Sequence, residues 1–254
     1  FTENVFSKAK KLKVLSKWGE GLNAIDLEAA KKYNIKVFRT AGALTDPVAD
    51  TVLGYLLAFA RNLIQKDIYM KKGEWRKLGA VTLKESKLGI IGYGKIGQAV
   101  AKRAVSFGMQ VMVYDINPIR ENNIDDELIK IIDLKTIYQE SDFISLNCDL
   151  NKTSKKIIDK YAIKKMKKGC VLINTARGEL IDELALINAL KNKNISGAAL
   201  DVFEKEPLAK NSPLRKMKNC LLSAHNANSS PYVFDKIHKK TISNLFKGLN
   251  ITTV

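Results

Sequence analysis

The chain has few of the residues that mark metal-binding, disulfide-rich or membrane-spanning proteins. Its 254 residues include two histidines and three cysteines, and Cys148, Cys170 and Cys220 have neither metal-ligand nor redox spacing. Because these cysteines lie in apolar segments, we interpret them as buried thiols in a reducing compartment and expect a cytoplasmic protein without a metal. No apolar run reaches the ~18 residues that a membrane-spanning helix needs, and no signal-peptide pattern is present, so we expect no membrane partner.

Acidic residues are scarce beside basic ones. The chain has 43 Lys and Arg against 26 Asp and Glu, a formal net charge of +17. Such a surplus raises nucleic acid as a partner, but the lysines are spread along predicted helices rather than clustered with aromatic residues. We therefore expect no nucleic-acid partner, and interpret the charge as a lysine-rich composition with some steering of anionic substrates.

The order of apolar and helical patterns indicates the fold class. Short apolar strands alternate with helical segments, which predicts an α/β protein with a doubly wound parallel sheet of the Rossmann type. The predicted strands are Val37–Phe38, Leu88–Ile91, Gln110–Tyr114, Phe143–Leu146, Val171–Asn174, Ser196–Leu200 and Cys220–Ser223. The predicted helices are Val48–Leu63 capped by Asp46 before Pro47, Glu183–Lys191 capped by Asp182, and Pro231–Asn250. A polar linker or subunit arm containing Trp75 is predicted for residues 71–86.

A glycine pattern after one predicted strand is typical of a pyrophosphate site. Gly92 permits a tight turn, Gly94 lets the backbone approach phosphates, and Gly97 lets the next helix pack closely on the strand. The predicted cofactor-binding residues of this segment are Gly92, Tyr93, Gly94, Lys95, Ile96 and Gly97. The pattern leaves open a chance glycine turn or a nucleotide site for a methyl donor.

An acidic residue at the end of the next predicted strand supports a dinucleotide. Asp115 follows Gly97 by 115 − 97 = 18 residues, close to the ~20 expected for the carboxylate that binds the ribose hydroxyls. Because this carboxylate would repel a 2′-phosphate, the sequence favours NAD over NADP.

Polar residues that could perform chemistry follow predicted strands in the second half of the chain. Arg177 follows one strand, Asp201 and Glu206 follow the next, and His225 follows the last. Ligands of open parallel sheets bind beyond the carboxyl ends of the strands, and a guanidinium there suits a carboxylate. Taken singly, Arg177 would by default be a surface residue, and a lone histidine such as His225 is more often structural. His238, on the polar face of the final helix, is interpreted as solvated.

These motifs, in this order, resemble those of the D-isomer-specific 2-hydroxyacid dehydrogenases, near the phosphoglycerate dehydrogenase branch. The resemblance covers essentially the whole chain. The motifs that carry it are Gly92-x-Gly94-x-x-Gly97, Asn174-x-Ala-Arg177-Gly178 with Asp182-Glu183-x-Ala-Leu, Leu200-Asp-Val-Phe-Glu-x-Glu206-Pro207, and His225. Gly19-Glu-Gly21, Ile25-Asp26-Leu-Glu-Ala-Ala30, Gly42 and Val48-Ala-Asp50 are similar to the family's substrate-domain signature.

The resemblance implies an NAD-dependent oxidoreductase that interconverts a small D-2-hydroxy acid and its 2-oxo acid by hydride transfer. It implies an NAD-binding domain at residues 47–230, inserted into a smaller flavodoxin-like substrate domain formed by residues 1–46 and a helix at 231–254. The active site would lie in the cleft between them. It also implies a homodimer, which we expect to use the arm around Trp75 and the helix opened by Pro47. The apolar residues of that helix are Val52, Leu53, Leu56, Leu57 and Phe59.

The same resemblance implies roles for single residues. His225 would protonate the carbonyl oxygen, Glu206 would support the imidazolium, and Arg177 would grip the substrate carboxylate. The further implied cofactor contacts are Thr175, Ala176, Arg177, Asp201 and His225. The implied substrate contacts are Trp18, Gly19, Glu20, Gly21, Arg177 and His225.

Departures from the family pattern leave questions open. Asn147, Asp149 and Asn151 stand on the adenine side in place of the usual residues. Glu20 is an acid in a loop expected to bind an anion, so either its side chain turns outward or the expectation of an anion site in this loop is wrong. The chain reaches Gly19 sooner than the family does, so we expect an N-terminal segment to be absent here and turnover to be poor. The alternative function is a non-catalytic NAD-sensing module, like the corepressors that share this fold. Which acid is the substrate stays open.

Overall fold

The computed structural model describes residues 1–119 and 126–251. The helices in chain order are α1 Glu3–Lys8, α2 Leu27–Lys32, α3 Thr45–Ala60, α4 Leu63–Lys71, α5 Lys95–Ser106, α6 Leu134–Glu140, α7 Lys160–Lys165, α8 Glu183–Lys191 and α9 Pro231–Leu249. The strands are β1 Val14–Lys17, β2 Lys36–Arg39, β3 Lys87–Ile91, β4 Gln110–Tyr114, β5 Ile129–Ile131, β6 Phe143–Leu146, β7 Val171–Asn174, β8 Gly197–Leu200 and β9 Cys220–Leu222.

The chain divides into two compact units. The small unit is Phe1–Pro47 with Asn228–Val254, and the large unit is Val48–Ala227. Residues 252–254 of the predicted C-terminal segment lie outside the described residues. In the described ranges, no helix is long and apolar enough to cross a membrane, and no group of three or more His, Cys, Asp or Glu side chains is arranged to hold a metal ion.

The large unit is built on a parallel sheet with the order β5-β4-β3-β6-β7-β8-β9. Every strand pair in it is parallel, so all the carboxyl ends lie at one edge. The chain starts at β3 in the middle, adds β4 and β5 on one side, and then continues from β6 on the other. The carboxyl ends of β3 and β6 therefore flank the position where ligands bind in such sheets.

Apolar residues on both faces of this sheet explain why it is buried. Within β7, Leu172 belongs to one apolar cluster, whereas its neighbours Val171 and Ile173 belong to the other, as the alternation of a strand requires. In β8, Phe59 of α3 packs against Gly197, where any Cβ would meet the ring. The predicted α/β fold with a doubly wound parallel sheet is confirmed.

Most predicted elements agree with the structure, and the exceptions have local reasons. The bounds of β4, β6, β7 and α8 are as predicted. The predicted cap of α3 is wrong, because the helix begins at Thr45 and Asp46 lies inside its first turn. The helix ends at Ala60, before Asn62 adopts a left-handed conformation at φ 53°. The sequence analysis did not predict two strands and five helices, which are short or carry no continuous apolar run: β1, β5, α1, α2, α4, α6 and α7.

The small unit joins the two ends of the described chain. β1 and β2 form a two-stranded parallel sheet, and α9 packs on it. The approach is close at Gly248, where a Cβ would lie 2.6 Å from Val14 Cγ1. Ser16 Oγ donates to the Thr241 carbonyl at 2.8 Å, which adds a polar contact between β1 and α9.

Candidate active site

The turn between β3 and α5 has the shape of a phosphate cradle. Gly92 has φ 98°, and a Cβ there would lie 2.6 Å from the Asn147 carbonyl carbon. A Cβ on Gly97 would collide with the Gly92 carbonyl oxygen. Gly94 is exposed and has open space around its Cβ position, and it precedes α5 without any side-chain cap. The first N–H groups of α5 therefore face room for an anion, which fits a pyrophosphate.

Asp115 lies directly beside this turn. Its Oδ2 accepts the Tyr93 N–H at 2.8 Å, and its Oδ1 accepts the Asn117 N–H at 2.9 Å. A carboxylate has about four lone-pair positions, so Oδ2 retains capacity for a ribose hydroxyl. The residues present thus fit a dinucleotide, with Asp115 as the residue that would bind the ribose hydroxyls.

The loop after β6 gains its shape from polar side chains. Asn151 Oδ1 accepts the N–H groups of Thr153 and Ser154 at 2.8 and 3.1 Å. Asn147 Nδ2 donates to Ser145 Oγ at 3.0 Å, while Asn147 Oδ1 is buried and has no hydrogen-bond partner among the described residues. The departures noted in the sequence therefore build a turn from Asn and Ser, and leave one buried acceptor beside Gly92.

The Arg177 loop is shaped by a buried asparagine at the end of β7. Asn174 Oδ1 accepts the Ala176 N–H at 3.0 Å, and its Nδ2 donates to the Arg177 carbonyl at 2.8 Å. The Arg177 guanidinium donates to the Ala176 carbonyl at 2.6 Å. Gly178 lets this loop lie against the Phe203 carbonyl, where a Cβ has no room. The loops after β7 and β8 are therefore in direct contact.

His225 and Glu206 form a hydrogen-bonded pair. Imidazole Nδ1 lies 2.7 Å from Glu206 Oε2, and Glu206 Oε1 accepts the Phe203 N–H at 3.1 Å. Their side chains are 47% and 37% exposed. Among the described residues the imidazole has no further hydrogen-bond partner, so Nε2 is available to a ligand. The structure brings these two predicted residues together.

The backbone that carries His225 is unusual. His225 has φ 53°, in the left-handed region that non-glycine residues seldom adopt. Its N–H donates to the Asp201 carbonyl at 2.7 Å. The Asp201 carboxylate, 1% exposed, accepts the Asn226 N–H at 2.8 Å and the Ala227 N–H at 2.9 Å. Both of its oxygens are therefore used by the backbone of the His225 loop.

The sequence analysis missed two residues of α3 that contact this region. Thr51 Oγ1 donates to the Ala227 carbonyl at 3.1 Å. Burial together with the Asp201 charge raises the pKa of Tyr55. Thr51 and Tyr55 are four residues apart, so they share one face of α3. That spacing was the available signal in the sequence.

The predicted substrate loop of the small unit is linked to the loop after β2. Gly19, at φ 106°, donates its N–H to Thr40 Oγ1 at 2.8 Å. Glu20 does not turn outward as expected, because its Oε1 accepts the Gly42 N–H at 2.6 Å. The carbonyl of the same peptide unit, on Ala41, accepts from Lys240 at 2.7 Å. Trp18 packs against Phe234, with ring centroids 5.7 Å apart.

The family follows from comparison with known sequences. The sequence profile of the D-isomer specific 2-hydroxyacid dehydrogenase, NAD binding domain, matches residues 53–227. The chain belongs to this dehydrogenase family. The dehydrogenase is 42% identical over 234 residues to a glyoxylate reductase of Thermococcus litoralis, covering 88% of this chain and 70% of that protein. It is 39% identical over 234 residues to a hydroxypyruvate reductase of Thermotoga maritima, covering 91% and 74%.

Two further comparisons bear on branch and fold. A D-3-phosphoglycerate dehydrogenase of Methanocaldococcus jannaschii is 39% identical over 233 residues, covering 90% of this chain and 44% of that protein. The solved structure of a D-lactate dehydrogenase from Aquifex aeolicus, complexed with NAD and lactic acid, has a TM-score of 0.90 at 29% identity, covering 98% of this chain and 80% of that one. The predicted family, enzyme class and nicotinamide-dinucleotide domain are confirmed: the dehydrogenase interconverts 2-oxo and D-2-hydroxy acids with NAD(P).

Proposed function

We propose that the dehydrogenase reduces glyoxylate and similar small 2-oxo acids, with NADH as the preferred cofactor and Arg177, Glu206 and His225 as the catalytic residues. The observation that carries this proposal is the 2.7 Å pair of His225 Nδ1 and Glu206 Oε2, which leaves Nε2 to face a ligand. An imidazolium held in this way is a general acid suited to a carbonyl oxygen.

Each catalytic residue has a separate task in the proposed reaction. The reduced nicotinamide, when bound, supplies the hydride that goes to the carbonyl carbon. His225 gives the proton on Nε2 to the carbonyl oxygen, and Glu206 stabilises the imidazolium before the transfer. Arg177 binds the substrate carboxylate with its planar guanidinium and orients the carbonyl group toward His225. Solvent then returns a proton to Nε2.

The other predicted site residues retain the roles that the family resemblance implies. We propose that the glycine turn and Asp115 bind NADH, and that Thr175, Ala176 and Asp201 contact its nicotinamide side. In the small unit, the N–H groups of Glu20 and Gly21 are proposed to contact the substrate carboxylate, because the Gly19 N–H is donated to Thr40 Oγ1. The Glu20 carboxylate is half-buried and bonded to Gly42, so this loop carries a fixed negative charge.

That charge bears on the phosphoglycerate branch. The Glu20 carboxylate repels every anionic group that a substrate brings to this loop; glyoxylate brings one such group, and a phosphorylated substrate brings two. Two reductases of small 2-oxo acids are also among the similar relatives. We therefore place the phosphorylated acid second, as the alternative supported by similarity to the D-3-phosphoglycerate dehydrogenase.

A substrate panel tests the proposal. The oxidation of NADH and of NADPH is followed by absorbance with glyoxylate, hydroxypyruvate, pyruvate and 3-phosphohydroxypyruvate. We expect the highest kcat/KM with NADH and glyoxylate or hydroxypyruvate. Higher kcat/KM with the phosphorylated acid would contradict the substrate assignment. Arg177→Lys should raise KM, because an ammonium cannot form the bidentate pair, while Arg103→Lys on the surface of α5 serves as the matched control.

We propose that the dehydrogenase forms a homodimer through α4 and the segment after it. The earlier expectation for α3 is corrected, because Val52, Leu53 and Leu56 are buried within the large unit. No residue of α4 is buried, although it carries exposed Leu63, Ile64, Ile68 and Met70, and Trp75 is 81% exposed. Light scattering should give a molecular mass twice that of one chain. The Ile68→Asp variant should have the mass of a single chain, whereas the control variant Ile242→Asp, on α9, should keep the mass of the dimer.

We also propose a reducing compartment, the cytoplasm, as the location of the dehydrogenase. Its three cysteines are free thiols. Burial raises the pKa of Cys148 to about 11 and that of Cys170 and Cys220 to about 12, so the thiols stay protonated at neutral pH. Slow reaction with a thiol reagent in the native state, against rapid reaction of all three after unfolding, would support buried structural thiols.

A further inference from the structure

The His225 loop depends on contacts that the proposed reaction does not itself use. Three consecutive N–H groups, those of His225, Asn226 and Ala227, all donate to Asp201, at 2.7, 2.8 and 2.9 Å. The first goes to its carbonyl and the other two to its carboxylate oxygens. One buried side chain with its own peptide group thus holds three successive residues.

The fourth contact comes from a different element. The Ala227 carbonyl accepts from Thr51 Oγ1 of α3 at 3.1 Å. Ala227 is 5% exposed, so its N–H and its carbonyl are both withdrawn from water and both need partners. Asp201 supplies one and Thr51 the other.

The conformation of His225 makes these contacts necessary. A left-handed non-glycine residue costs about 1 kcal/mol or more and persists only where its surroundings determine it. At φ 53° the imidazole reaches Glu206 Oε2. In the extended conformation that the preceding strand favours, the side chain would point elsewhere and the pair would be lost.

We propose that Asp201 and Thr51 are positioning residues, which hold the backbone of residues 225–227 so that His225 stays paired with Glu206. The proposal rests on the proposed role of His225 as proton donor. It gives Asp201 a task beyond the implied cofactor contact, and it gives α3 a part in catalysis through Thr51.

The first test replaces Thr51 by residues of matched size. Thr51→Val removes the hydroxyl and keeps the shape, whereas Thr51→Ser keeps the hydroxyl. We expect Thr51→Val to lower kcat about fivefold, the usual effect of one such hydrogen bond, with the NADH dissociation constant unchanged, and Thr51→Ser to restore kcat. Equal loss in both variants, or none in either, would overturn the role of Thr51.

The second test uses the fact that the chain has only two histidines. NMR spectra of the protein with nitrogen-15-labelled imidazole rings contain two sets of signals, one for each histidine. The set that disappears in the His238→Gln variant belongs to His238, and the other to His225. We expect a strongly downfield Nδ1–H proton for His225 in the parent protein, weakened in Thr51→Val, lost in Asp201→Asn and retained in Thr51→Ser. Asp201→Asn should also lower kcat about 30- to 100-fold, since two charge-assisted bonds are impaired.

The spectra separate failure of this proposal from failure of the proposed function. A downfield proton that survives in Asp201→Asn while kcat falls would overturn the positioning role and leave Asp201 as a cofactor contact. A proton that responds as expected while His225→Ala retains full activity would support the positioning and refute the proton-donor role. If Asp201→Asn does not fold, the two Thr51 variants still decide the proposal.

Discussion

The two loops that carry the proposed function are held in opposite ways. The cofactor turn owes its shape to local glycines, since Gly92 and Gly97 are close to each other in sequence and each allows a contact that any Cβ would block. The His225 loop has no glycine and is held by Asp201 and Thr51, which are distant in sequence. The conformation of the cofactor turn can therefore be predicted from a short sequence motif. The conformation of the His225 loop depends on contacts with the folded sheet and with α3.

Removing the imidazole of His225 tests most directly whether the two loops have separate roles in catalysis and in cofactor binding. His225→Ala should lower kcat about 10²- to 10⁴-fold, the span for losing a general acid, while the NADH dissociation constant changes little. Stopped-flow and fluorescence titration measure the two quantities. His238→Ala, the other histidine, is the matched control and should retain both. A comparable loss of NADH affinity in His225→Ala would mean that the loops are not independent.

The cofactor turn can be broken without breaking the fold. Gly94→Ala adds a methyl group in open space at φ −73°, so the melting temperature should stay the same while NADH binds at least about tenfold more weakly. Gly92→Ala is the contrasting variant, because the φ of 98° and the nearby Asn147 backbone leave no room for a Cβ. This substitution should lower the free energy of unfolding by about 1–3 kcal/mol. Unchanged NADH affinity in Gly94→Ala would remove the pyrophosphate from this turn.

Asp115 is expected to determine which of the two nicotinamide cofactors the cofactor turn prefers. Asp115→Ala should narrow the preference for NADH over NADPH by about five- to tenfold, because it removes both the ribose contact and the repulsion of a 2′-phosphate. Parallel fluorescence titrations with the two cofactors give the ratio. Glu28→Ala, which removes an exposed acid on α2 of the small unit, is the control. A parent protein that binds NADPH more tightly would contradict the assignment of Asp115.

The smallest effect is expected outside both loops. Asp182 caps α8 by accepting the Ala185 N–H at 3.0 Å, and this bond together with Lys156 lowers the pKa of Asp182. Asp182→Ala should lower the unfolding free energy by about 1 kcal/mol with kcat and NADH affinity unchanged, while Asp182→Asn keeps most of the cap.

The pH dependence of this cap has a definite sign. Because folding lowers the pKa of Asp182, its carboxylate contributes stability above the ordinary carboxyl pKa near 4, and this contribution is lost as pH falls through the lowered value. Denaturant titrations of the parent and Asp182→Asn should therefore converge in strongly acidic buffer. A difference that grows on acidification would be inconsistent with the cap.

The contrast between the loops also explains how far the sequence predicts the molecule. The bounds of β6 and β7 were predicted because their apolar runs are continuous. Asp115 was predicted as a cofactor contact because its distance in sequence from Gly97 is typical of dinucleotide-binding domains. The pairing of His225 with Glu206 was implied by resemblance. The contact of Thr51 with Ala227 spans 176 positions, and nothing in a linear pattern reports it. Glu20 was misjudged because its partner, the Gly42 N–H, belongs to the loop after another strand.

The packing of α9 on β1 and β2 has a consequence for synthesis. Val14 and Phe38 are covered by a helix that follows them by roughly 200 residues, with the whole large unit between. At ~5–20 residues per second, their apolar surface waits roughly 10–40 s for that helix after leaving the ribosome. The nascent chain is therefore exposed to aggregation or to a chaperone around Val14 and Phe38, while the large unit can already fold.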